Sequence, residues 1–228
     1  MSNRLRFPLL AMAILATFSL TSCGSDDKSN PLAPAPPARV MAVHASPDAP
    51  AVDLLVDGAV AGTGLAFPNN TAYLSVAAGT RNVKVNVAGT TTTVIDANLP
   101  VTGGINYTVF ASDVVASIGA VVLTDDLTTP ASGKAHVRFV HLSPNAPAVD
   151  VAVQGGPVVF ANKAFKQYTA FTPVAAGTYN FEVAGTATVA LPLNGIVLQS
   201  GKIYTVFAKG LVGGSGAQAL GAQIIVNN

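Results

Sequence analysis

Asn82-Val83-Lys84-Val85-Asn86-Val87 puts three valines on one side of an extended chain and Asn, Lys and Asn on the other. Side chains alternate faces along a strand, so this period of two predicts a β-strand with one dry and one wet face. That pattern belongs to an antiparallel sheet. The strand is entered through Gly79-Thr80, a tight turn where glycine tolerates positive φ. Just upstream, Val76-Ala-Ala-Gly-Thr80 returns as Val174-Ala-Ala-Gly-Thr178. The alternation returns with it: Phe181 and Val183 point inward, Asn180 and Glu182 outward.

The echo extends in both directions. His44-Ala-Ser-Pro-Asp-Ala-Pro-Ala-Val-Asp53 recurs as His141-Leu-Ser-Pro-Asn-Ala-Pro-Ala-Val-Asp150, with eight of ten positions identical. Tyr107-Thr-Val-Phe-Ala111 recurs as Tyr204-Thr-Val-Phe-Ala208. The three offsets are 97, 98 and 97 residues, so one module of roughly 90 residues occurs twice. Short β-rich runs lie near 39–44, 52–57, 71–76, 81–88, 92–97, 105–111 and 117–123, separated by Gly, Pro and Asn turns. Ile105 to Phe110 and Ile203 to Phe207 are apolar on both faces, which suits central strands. The expected fold is all-β: two tandem antiparallel β-sandwich modules of an immunoglobulin-like or transthyretin-like kind. Module 1 is placed at 39–126, a linker at 127–134 and module 2 at 135–228. The two are expected to share one fold and to fold largely independently.

Residues 1–22 read as a secretory leader. Arg4 and Arg6 precede a short apolar stretch from Leu9 to Leu20, too short to span a bilayer comfortably. Leu20-Thr21-Ser22-Cys23 resembles a bacterial lipobox, which implies acylation of Cys23. Several acyl chains would then anchor the protein without a second signal. Residues 23–38 form a Pro-rich tether with Pro31, Pro34, Pro36 and Pro37, extended at roughly 3 Å per residue. Its acidic start, Ser25-Asp-Asp-Lys28, resembles the surface-export signal of lipoproteins in the Bacteroidota; it equally fits a solvated linker. The expected location is the outer membrane, facing the periplasm or the cell surface.

Composition narrows the partners. Without Arg4 and Arg6, ten basic side chains face eleven acidic ones, a net charge of −1. Near-neutrality argues against nucleic acid, which demands a basic stripe. Cys23 is the only cysteine, so no intrachain disulfide can form. Tryptophan is absent and only five tyrosines occur, which disfavours an aromatic sugar-binding platform. No metal or cofactor site is expected. His136 and His141 are five apart on one strand and point to opposite faces, and neither a calcium loop nor a phosphate loop is present.

The duplicated motif is the candidate chemistry. His44, Ser46 and Asp53, repeated as His141, Ser143 and Asp150, are the residue types of nucleophilic catalysis. No Gly-x-Ser-x-Gly elbow accompanies Ser46. The structural reading is stronger: Ser46-Pro47-Asp48-Ala49 suits a type I turn, as does the segment carrying Ser143 and Pro144. In that reading His44 bonds Asp53 and His141 bonds Asp150, clamping a proline-stiffened loop. A unique site would sit where the copies differ, and the clearest difference is the Gly-rich Lys209–Ala219 loop, read as exposed; a tolerated insertion is the stronger reading of that loop.

The ten-residue motif, the Ala-Gly-Thr turn and the Tyr-Thr-Val-Phe strand together resemble the bacterial family of domain of unknown function 4397, over 39 to 228 apart from the linker. The resemblance implies an extracytoplasmic β-rich domain, often in tandem and often on lipoproteins. It implies no activity. The leading expectation is a lipid-anchored protein, held to the membrane by its N-terminal lipid, whose two interaction modules bind a protein or envelope partner. The alternatives are a hydrolase using the His, Asp and Ser constellation, and a passive envelope spacer.

Overall fold

Eight strands build the first module: β1 (Ala38–Ala45), β2 (Val52–Val56), β3 (Ala59–Leu65), β4 (Leu74–Val76), β5 (Gly79–Val87), β6 (Thr93–Val101), β7 (Asn106–Ser112) and β8 (Gly119–Asp125). Eight more repeat them: β9 (Lys134–His141), β10 (Val149–Val153), β11 (Val158–Lys163), β12 (Thr172–Ala175), β13 (Gly177–Gly185), β14 (Ala190–Leu198), β15 (Ile203–Lys209) and β16 (Gly221–Val226). The computed structural model describes residues 34–185 and 190–228. The leader, Cys23 and most of the tether lie outside the described residues. No helix among the described residues is long and apolar enough to cross a membrane.

Each module is a sandwich of two four-stranded sheets. Module 1 stacks β4-β1-β7-β8 on β3-β2-β5-β6, and module 2 stacks β12-β9-β15-β16 on β11-β10-β13-β14. Pairing is antiparallel except at one place in each module, where β1 runs parallel to β7 and β9 runs parallel to β15. These partners are far apart in sequence, and their connection crosses through the second sheet, so no hairpin dictates their direction. The strand missing from the sequence reading is β3. Its Ala-Val-Ala-Gly-Thr-Gly-Leu carries small side chains on a largely exposed edge, so no alternation marks it.

The central strands are apolar on both faces because both faces are buried. On β1, Ala38 and Val40 pack into the sandwich with Val76, Val101 and Tyr107. Met41, Val43 and Ala45 point the other way, and there they meet module 2. Phe110, Leu123, Val140, Leu142, Phe207 and Ile225 complete that second core, all nearly inaccessible. Phe110 and Phe207 are equivalent residues of the two copies, and they meet edge to face at 5.6 Å. Contact between equivalents is the signature of an isologous interface, here within one chain. Independent folding of the modules is therefore not what the packing favours, because each module buries this face only against the other.

A polar seam crosses the same interface. Arg138 Nη2 lies 2.7 Å from Asp125 Oδ1 in an ion pair that is not aligned as a hydrogen bond. Arg138 Nε donates to Thr205 Oγ1 at 2.8 Å, and the guanidinium lies over the Phe171 ring at 4.5 Å. The Asp125 carboxylate also accepts from Tyr73 Oη at 2.6 Å and Thr108 Oγ1 at 2.7 Å. Asn227 Nδ2 donates to Tyr73 Oη at 3.0 Å and joins the copies. Burial, reinforced by the Asp125 charge, pushes the Tyr73 phenol up to about 12.

Candidate functional site

The duplicated loop leaves the end of β1 and enters β2, and it does the same between β9 and β10. Both histidines are fully buried. Each imidazole Nε2 bonds a proline carbonyl across the loop: His44 to Pro50 O at 2.9 Å and His141 to Pro147 O at 3.0 Å. A carbonyl only accepts, so Nε2 carries a proton in each ring. Burial lowers both imidazoles below their ordinary value, partly offset by the bond to the proline. Phe67 and Phe165 wall the two rings edge-on at 6.1 and 6.5 Å.

The expected His–Asp bonds are not formed. Asp53 instead accepts Gly64 N at 2.8 Å and Gly89 N at 2.9 Å, tying β2 to the irregular end of β3 and to the β5–β6 turn. Asp150 accepts Asn162 N at 2.6 Å. The reason is facial alternation: two unpaired backbone N–H groups lie on the side to which Asp53 points, while its histidine faces the core. Ser143 Oγ donates to Gly210 O at 2.7 Å, and Ser46 Oγ is buried without a partner. Neither serine bonds its histidine, so the three residue types are not assembled for catalysis. Pro144 opens a turn closed weakly by Ala146 N and Ser143 O at 3.4 Å, whereas Pro47 sits in an open bend. The acceptors at the next position do the clamping. Asp48 Oδ1 takes Val115 N at 2.8 Å, and Asn145 holds both N–H and carbonyl of Val212.

The Gly-rich Lys209–Ala219 loop is largely exposed, as read, but it is closed on itself. Leu211 N donates to Gln218 O at 2.8 Å, and Leu220 N donates to Leu211 O at 3.0 Å. A side chain at Gly210 would lie 2.2 Å from Ala219 O, so glycine there serves close backbone approach. Among the described residues no group of three His, Cys, Asp or Glu side chains is placed to hold a metal.

The larger difference between the copies is internal. A cavity of about 140 Å³ separates the two sheets of module 1, lined by apolar side chains such as Val40, Leu54, Val83, Val85 and Val109. Beside His141 lies a pocket of only about 10 Å³, walled partly by the loop residues Ala146, Pro147 and Val212. Register explains the contrast. Leu54 pairs with Gly62 where Val151 pairs with Phe160. Val83 pairs with Ala97 where Phe181 pairs with Leu193. Ala42 N bonds the Thr71 hydroxyl where Phe139 N bonds that of Thr169. Module 2 thus carries phenylalanine at three positions where module 1 has Ala42, Gly62 and Val83. Phe139 and Phe160 stack at 6.4 Å and fill its core.

The cavity's open side runs along β6 and β8, where Asn98 and Ala120 are exposed and Val122 is 39% exposed. Arg81 is the cation lining it. Its Nη1 reaches Asp57 at 3.2 Å and its Nη2 reaches Ala78 O at 2.7 Å, while Nε is buried with no partner. His44 borders the cavity; Ser46 and Asp53 do not.

A family match covers residues 38–152 and 149–228. The chain belongs to the family described as Domain of unknown function (DUF4397). The two DUF4397 segments meet inside β10, whereas the sheets separate at the 126–133 connection. No curated protein matches the chain. A crystal structure from Bacteroides eggerthii DSM 20697, whose description suggests cell adhesion, is similar at 10% identity and a TM-score of 0.22, over 85% of this chain and 96% of that one. That likeness is too loose to bear on fold or role.

Within the DUF4397 repeats, sequence reading missed Arg81, Arg138 and the hollow core. Each left a signal. Between Ala38 and Asp125 there are two phenylalanines, Phe67 and Phe110, against six between Lys134 and Asn228. Arg138 interrupts the apolar stretch of β9, between Val137 and Phe139.

Proposed function

We propose that this protein is a lipid-anchored extracytoplasmic binding protein in which module 1 is the recognition half and module 2 a filled platform. The observation that carries the reading is the contrast of cores: open beside His44, closed beside His141. A pocket beside His44 would also suit an enzyme, but its lining is apolar and neither Ser46 nor Asp53 borders it. Apolar lining with few polar groups supports binding over hydrolysis. The basic-apolar leader and Leu20-Thr-Ser-Cys23 support an outer-membrane anchor at Cys23, with the module facing the periplasm or the cell surface.

Two measurements test this. Cys23→Ser should release the protein from the membrane fraction; retention after a high-salt wash places the anchor elsewhere. A photo-crosslinking residue at Val122, beside the opening, should capture a partner or ligand in intact cells. The same residue at the equivalent Ile224 of module 2 should not. Equal capture at both positions, or none at either, overturns the division of labour.

A further inference from the structure

We infer that the module 1 cavity is a binding site for a small molecule with an apolar body and one hydrogen-bond-accepting end, the end bonded by Arg81 Nε. This rests on the binding reading above and names the chemistry of its ligand.

Size comes first. An engineered apolar cavity of about 150 Å³ in another protein stays dry and binds benzene. The cavity here is of that size, about 140 Å³, and is likewise walled by Val and Leu side chains. It therefore accommodates one ring or a chain of about six carbons, and not a full lipid tail. Water is a poor occupant, because a buried water needs two to four polar partners and the lining is overwhelmingly apolar.

The hollow also has a specific origin. The second copy fills the same space with Phe139, Phe160 and Phe181, so the fold tolerates a closed core. Gly62 in particular is not required by its backbone. It has no positive φ, and an added Cβ would meet only Thr71 Cγ2 at 3.7 Å and Leu54 Cβ at 4.0 Å, ordinary contacts.

Arg81 supplies the polar element. Two of its three nitrogens are engaged, leaving the Nε–H a buried donor without an acceptor, on a residue that lines the cavity. A buried unpaired donor is costly, and a ligand oxygen would satisfy it. In module 2 the equivalent residue is Tyr179, which stacks on Phe181 at 5.3 Å and bonds Ala175 O at 2.9 Å. There the cation and the space are lost together. Asp57 already faces the Arg81 guanidinium, so both a carboxylate and a neutral carbonyl fit the acceptor role.

The test uses the full chain carrying Cys23→Ser, purified without detergent. Hexanoate, hexanamide and hexane are titrated while the methyl resonances of Val83, Val85 and Val109 are followed. The expected result is a saturable shift with the two polar probes binding at least about tenfold tighter than hexane. Ala42→Phe and Val83→Phe, which copy module 2, should abolish binding by all three probes in proteins that melt no lower than the parent. Arg81→Met should remove the advantage of hexanoate and hexanamide and leave hexane unchanged. Hexanoate alone binding assigns the ligand a carboxylate; both binding assigns any oxygen acceptor. Absence of saturable shifts, or binding that survives Val83→Phe, overturns the inference. Polar probes no tighter than hexane overturn the Arg81 assignment. A macromolecular adduct at Val122 alongside failure of every probe defeats this inference but leaves the binding reading intact.

Discussion

His141 shows how one residue can hold a loop without the partner its neighbours advertise. Two prolines in the loop cannot donate, and the buried imidazole donates to the carbonyl of one of them. Removing it leaves Pro147 O unsatisfied and opens a small void, so His141→Ala should cost about 2 kcal/mol in a denaturant melt. Asp150→Ala frees an exposed backbone N–H and should cost about 1 kcal/mol or less. Because the two side chains share no bond, a double-mutant cycle should be additive within about 0.5 kcal/mol. A larger coupling would restore the His–Asp clamp. The same histidines set a pH dependence. Their folded values lie below the ordinary 6.5, so they stabilise the fold above 6.5 and that contribution disappears as pH falls through the depressed values. The melting temperature should therefore drop on acidification below about 6.5. His141→Asn should flatten that limb; an unchanged acid limb in a variant also lacking His44 would remove histidine from the explanation. The motif's residue types were legible in sequence, and so was its structural character. The bonding partners were not, because the best acceptor for His141 is a main-chain carbonyl that every residue possesses.

At the scale of elements, β1 and β9 carry the same register and opposite outcomes. Ala42 and Phe139 occupy one inward position, and the choice of side chain there, with Gly62 against Phe160 and Val83 against Phe181, decides whether the sheets enclose space. Unfilled apolar volume costs about 24 cal/mol per Å³ in core truncations. On that scale a 140 Å³ cavity leaves module 1 up to about 3 kcal/mol short of its twin. Val83→Phe should recover part of this, raising stability by about 1–2 kcal/mol with little change in m-value. A loss of similar size would mean that the sheets are held apart by backbone geometry rather than by missing side chains. Alternation revealed the middle of β5, over Asn82–Val87, and of β13, over Asn180–Val183, and β3 not at all, since a small-residue edge strand has no dry face to display.

The whole molecule is a pair of equivalent faces pressed together. Phe110 against Phe207 lies at its centre, flanked by Lys166 bonded to Asp113 at 3.0 Å and Lys209 over the Phe67 ring at 5.4 Å. Residues 134–228 expressed alone would expose Val140, Leu142, Phe207 and Ile225 and leave Arg138 without Asp125. Breaking a buried ion pair by removing one partner costs about 3–5 kcal/mol. The isolated module should then melt without cooperativity or self-associate through this face. A sharp, concentration-independent melt near that of the full chain would show the modules to be separable. In the intact protein, Phe207→Ala should cost about 3–5 kcal/mol and lower a single shared transition, since both modules lean on that ring.

The strand period and the turn residues are local properties, and the repeat is a comparison of one stretch of the sequence with another; together they determined the all-β class, the two modules and the position of the duplicated loop within each. Partner choice is different in kind. Arg138 opposite Asp125, Asp53 bonded to Gly64 and Gly89, and the union of the two sandwiches all join residues whose separation along the chain carries no signal of contact. The cavity follows from volume, a sum over side chains from both sheets that no single window contains. Those features were decided only when the sheets stacked, because burial and close packing act on whichever atoms the tertiary fold brings together.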